Sequence, residues 1–102
     1  MDAWDRLEVA EMLIKRFDQR TDLESFDRLI TVGADVLYAT NENQTLIRYG
    51  YPEKVGTQLN ELLSYRGTRK NDLQTLRVFD FYKVGLLLQI KNAKRLILDI
   101  EG

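Results

Sequence analysis

Four carboxylates recur at intervals of three near the start of the chain: Asp2, Asp5, Glu8 and Glu11, within "MDAWDRLEVAEMLIKRFDQR". Paired carboxylates perform general acid–base chemistry only where burial or a neighbouring charge pushes their pKa values apart. Here they lie at a helix start and along its polar side, so a solvated face is the simpler reading. A second cluster, "SYRGTRKN", sets Arg66, Arg69 and Lys70 beside Tyr65. Such cations could contact a phosphate or another anion while the ring stacks on a base. The simpler reading is a helix end in water, where the helix dipole favours basic residues.

The rest of the chemical inventory is sparse. The chain has no histidine and no cysteine, which removes the commonest general base, the commonest zinc ligand, thiol redox chemistry and any disulfide framework. Neither a P-loop nor a Rossmann glycine pattern is present. No nucleophile, base or oxyanion hole can be named, so a non-catalytic protein without cofactor or metal is expected. Fifteen basic residues against sixteen acidic ones leave a net charge of −1, which argues against a dedicated nucleic-acid binder.

With 102 residues, 44% of them hydrophobic and 30% charged, the sequence describes one small globular unit. A chain of this size buries roughly 60–65% of the surface its unfolded state exposes, so a second chain would help to stabilise it. The first residues carry acids where a signal peptide carries bases, and no stretch reaches the ~20 apolar residues that span a bilayer. A cytoplasmic protein without a membrane span is the expectation.

Elements that would position these residues follow from the apolar pattern. Trp4, Leu7, Ala10, Ile14 and Phe17 recur at spacings of three and four, which predicts an amphipathic helix over 2–19. "TDLE" at 21–24 reads as a capping box opening a short helix that runs to about Leu29 or Ile30, with Gly33 after it. "ADVLYATNENQTLIRYG" reads as a hairpin turning at "NENQ", although helix also fits residues 34–50. Pro52 suits the first turn of a helix that carries Val55, Leu59, Leu62 and Leu63 and stops at Gly67. The closing third, "NDLQTLRVFDFYKVGLLLQIKNAKRLILDIE", reads as three antiparallel strands over 74–82, 84–91 and 94–101, with Phe79 and Phe81 on one face.

Helix, hairpin, helix and three-stranded meander together give an α+β domain, a five-stranded antiparallel sheet flanked by helices. That order resembles the roadblock family, the fold of roadblock-type dynein light chains and of small GTPase-regulating scaffolds. The strongest local likeness is "NDLQTLRV" (Asn71 to Val78), similar to the segment leading into the third strand of those light chains, and "GADVLYATNENQTLIRYG" falls where the family places its first hairpin. The resemblance covers about residues 22–101, leaving residues 1–20 as an extra N-terminal helix ahead of a roadblock-like unit over 21–102.

The resemblance implies a dimeric adaptor. Two copies, or a copy and a different roadblock chain, would join through their third strands and second helices and hold a helical segment of a partner such as a dynein intermediate chain. Gln58, Glu61 and Tyr65 on the helix and Arg77 and Phe79 on the strand are the contacts this implies. Two alternatives are a scaffold acting on a small GTPase and a small inhibitor or immunity-type protein that blocks an enzyme through its surface.

Overall fold

The computed structural model describes residues 1–17, 23–68 and 72–102. Among these the chain is all helix: α1 (Ala3–Lys15), α2 (Leu23–Asn41), α3 (Gln44–Arg48), α4 (Tyr51–Thr68) and α5 (Asp72–Glu101). No described residue lies in a strand. The expected α+β sheet is therefore replaced by a five-helix assembly, and with it goes the structural basis of the roadblock likeness.

The first helix forms as its spacing predicts. Asp2 caps it, its carboxylate accepting the Asp5 N–H at 2.9 Å, and Leu7, Ala10 and Ile14 turn inward one helical turn apart. The capping box at Thr21 falls outside the described residues. Beyond it α2 does not stop near Ile30 but continues through Gly33 to Asn41. Gly33 serves packing instead of termination: a β-carbon there would stand 3.0 Å from Leu59 Cδ1 and 3.6 Å from Leu86 Cδ1. Omitting that carbon lets α4 and α5 close on the middle of α2.

Residues 34–50 consequently form no hairpin. Val36 to Tyr38 belong to α2, and "QTLIR" makes the short α3, capped by Asn43, whose side chain accepts the Leu46 N–H at 3.0 Å. The turn into α4 sits at Gly50, with φ 77°, a left-handed conformation that side chains other than glycine's resist. Helix α4 then runs on through Gly67 to Thr68, and among the described residues a β-carbon at that glycine would meet nothing within 4 Å.

The largest correction concerns the last third, where one 30-residue helix takes the place of three strands. Thr75, Phe79, Leu86, Ile90 and Ala93 are its buried positions, and steps of three, four and seven are the helical repeat, not the alternation of a strand. The segment also lacks the Asn-Gly or Asp-Gly pairs that close tight hairpins. Leucine, lysine, arginine and glutamine supply much of it, all good helix formers. At 1.5 Å per residue the helix is about 45 Å long, matching the 44 Å long axis of the molecule.

The core joins α1, α2, α4 and α5, with Leu46 of α3 plugging one end. At its centre Phe26 meets Phe79 edge-on, centroids 5.6 Å apart, and stacks on Tyr65 at 6.1 Å. No helix among the described residues is long and apolar enough to cross a membrane.

The helical and strand readings of residues 72–101 predict different outcomes for two neighbouring phenylalanines. Phe79 is fully buried and Phe81 is 69% exposed. Phe79→Ala is expected to lower unfolding free energy by about 3–5 kcal/mol, whereas Phe81→Ala should change it by no more than about 0.5 kcal/mol. Urea unfolding of both variants checks this; equal costs would favour a strand in which both rings share a face.

Candidate functional site

The outer face of α5 is where the surface departs from the ordinary. Turning Phe79, Leu86 and Ile90 inward aims Phe81, Val84 and Leu88 outward, where they are 69%, 57% and 52% exposed. Isolated surface leucines need no account, whereas a contiguous apolar cluster is a candidate place of contact. The three sit in a groove of about 620 Å³ along the α4–α5 seam, rimmed by Arg77, Asp80, Tyr82 and Gln58.

Where α4 borders this groove, the contact is built around a glycine of α5. At Gly85 a β-carbon would stand 3.1 Å from Gln58 Nε2, so the missing side chain lets the Gln58 amide lie against α5. Gln58 Oε1 is buried there and accepts no hydrogen bond from the described residues. One turn further along α4, Glu61 accepts a 2.8 Å hydrogen bond from the Tyr82 hydroxyl. Partial burial first, and this bond to a carboxylate second, push the Tyr82 phenol up to about 12. Phe81 meets the Tyr82 ring edge-on at 5.2 Å, which holds both rings at the mouth.

A second groove, of about 490 Å³, lies beside the other half of α5, between Lys91, Arg95 and Leu98 and the Trp4 and Glu11 side of α1. Its wall is held by Lys94, whose ammonium lies 4.9 Å over the Trp4 ring and 3.5 and 3.7 Å from Glu8 and Glu11. Trp4 Nε1 donates to Glu8 at 2.9 Å. Two of the four N-terminal carboxylates thus fasten α1 to α5 and Asp2 caps a helix, an arrangement with no acid–base pair in it.

The residues singled out from the sequence separate into three groups. Gln58 and Arg77 line the first groove, and Glu61 supports it through Tyr82. Tyr65 and Phe79 turn the other way, onto Phe26, so Phe79 has no exposed surface to offer a partner. Of the basic cluster, Arg66 donates from Nε and Nη2 to the two carboxylate oxygens of Asp27, at 2.5 and 3.2 Å, and Arg69 and Lys70 lie outside the described residues. These contacts join α4 to α2, and the hydrogen bond and charge of Asp27 raise the Arg66 pKa further.

The central apolar trio went unread in the sequence. Its signal was present as spacings that alternate four and three, from Arg77 through Phe81, Val84, Leu88, Lys91 and Arg95 to Leu98. That is a heptad stripe. Among the described residues no group of three or more acidic side chains could hold a metal ion. Comparison with protein-family models, curated proteins and solved structures finds no significant match. With no family match and no strand among the described residues, the roadblock resemblance does not hold.

The Tyr82–Glu61 contact is directly measurable. The folded phenol lies above the ordinary tyrosine value near 10, so the stability that burial and this hydrogen bond together link to the protonated phenol is complete below about pH 10 and lost as pH rises through about 12. Glu61→Gln is expected to bring the Tyr82 titration down toward the ordinary range. Absorbance of phenolate at high pH, with Tyr82→Phe as the subtraction, checks it; a titration unmoved by the substitution would assign the whole shift to burial.

Proposed function

We propose that this chain is a non-catalytic adaptor that holds an α-helical segment of another protein against the outer face of α5. The exposed trio Phe81, Val84 and Leu88 carries this reading. Helices that bind in grooves present apolar anchors at intervals of three and four, and this face has the matching period. A groove of that volume could also take a small molecule, but its apolar floor runs open along the helix and suits a rod better than a compact ligand.

The reading places the encounter in the cytoplasm, where a chain without cysteine meets no obstacle. The joining of two copies through strand edges is no part of it, since the described residues offer no strand to join.

Photocrosslinking inside the cells that make the chain tests the proposal. A benzophenone amino acid in place of Val84 or Leu88 should yield adducts to another protein, and the same group in place of Asn60, exposed on α4, should yield none. Equal yields at all three positions, or no adduct at Val84 and Leu88, would remove this face from function. A self-adduct would identify a dimer in place of an adaptor.

A further inference from the structure

The charges around the trio say what kind of helix would lie there. Arg77, Phe81, Val84, Leu88, Lys91 and Arg95 fall within about 40° of one line on α5, with Leu98 slightly beyond. All seven are exposed. The charged members, Arg77, Lys91 and Arg95, are all basic, and none forms an ion pair among the described residues. From Gln74 to Leu98 α5 exposes no acid; Asp80 is half-buried and already engaged. An apolar centre thus carries cations on both sides, on a chain whose net charge is −1.

The stripe also joins the two grooves. Phe81, Val84 and Leu88 belong to the one bordered by α4, while Lys91, Arg95 and Leu98 belong to the one bordered by α1. Together they span 21 helical steps, about 32 Å. Burial of the exposed parts of three apolar side chains yields only a few kcal/mol, comparable with the lower estimates of what association itself costs. A contact confined to the trio would be weak, so a useful one extends into the basic parts of the stripe.

We infer that the occupant is an acidic amphipathic helix of about three heptads, lying along α5 from Arg77 to Leu98. This rests on the adaptor reading and adds the partner's chemistry to it. Its apolar positions would meet Phe81, Val84 and Leu88, and its flanking glutamates or aspartates would meet Arg77, Lys91 and Arg95. A second copy of this chain fits poorly. Laid antiparallel about Val84 and Leu88, two stripes bring Arg77 of one copy onto Arg95 of the other, and laid parallel each cation meets itself.

Two synthetic helices of about 21 residues test the inference, with leucine at the a and d heptad positions and either glutamate or lysine at e and g. Fluorescence anisotropy with the full chain should show the glutamate peptide binding at least about tenfold more tightly than the lysine peptide, with the difference shrinking as salt rises. The triple variant Arg77→Glu, Lys91→Glu, Arg95→Glu should invert that order, and Val84→Asp should abolish both interactions while circular dichroism stays unchanged. Equal binding of the two peptides, lost in Val84→Asp, overturns the acidic preference and leaves the adaptor reading standing. Binding to phosphatidylserine vesicles but to neither peptide overturns the inference in favour of a membrane. Binding to none of them overturns it as well, and the crosslinking result then decides the adaptor reading separately.

Discussion

A helix of about 45 Å must be covered by helices much shorter than itself, and the rest of the structure follows from that mismatch. α1, with 13 residues, and α4, with 18, reach about 20 and 27 Å. Each can lie against only part of α5. They therefore divide it, α4 beside its first half through Gln58 and Glu61, α1 beside its second through Trp4, Glu8 and Glu11. α2 fills the space between them, and Phe26 of α2 touches Phe79 where the helices converge. The inner side of α5 is buried by this arrangement, and among the described residues no other helix covers the outer side.

The polar contacts reinforce the same division without supplying most of the stability. Arg66 and Asp27 tie α4 to α2, and Lys94 ties α5 to α1 through two carboxylates and the Trp4 ring. These groups are at least partly in water, where an ion pair contributes little. Removal of the Phe79 ring would cost far more. The ion pairs fix how the helices are set against one another, while burial of Leu7, Leu29, Leu62 and Ile90 decides that they associate at all.

How much of this was legible in the sequence depended on whether the apolar period was unambiguous. α1 could be read because charges interrupt its apolar positions at each turn, and α4 because Pro52 and Val55, Leu59 and Leu62 give a start and a face. The middle was misread through Gly33, a residue equally suited to ending a helix and to letting helices approach; only the positions of Leu59 and Leu86 tell the two apart. In the last third apolar residues lie at both strand and helix intervals. "GLLLQI" satisfies either period, because Leu86 is buried, Leu87 half-buried and Leu88 exposed. A helix with apolar residues on its outer face as well as its inner one looks continuous to a reader expecting one wet side. The same excess that hid the fold was the mark of the candidate site, so the two errors have one cause.

Two independent departures from ordinary surface chemistry coincide at that site. Exposed Phe81, Val84 and Leu88 hold apolar area in water, and beside them Gln58 Oε1 is withdrawn from water without a donor among the described residues. The first leaves unused a burial that contributes about 25 cal/mol per Å²; the second costs on the order of 1–3 kcal/mol. The exposed trio adds nothing to the α4–α5 core, which Leu62, Phe79 and Leu86 already close, and the Gln58 amide packs on Gly85 at the expense of an unmet acceptor. Local rules broken without benefit to the fold are expected where a surface serves something outside it. Here both breaks lie on the α5 face that the shorter helices leave uncovered among the described residues, which is why the candidate site is placed there and not on α2 or α3.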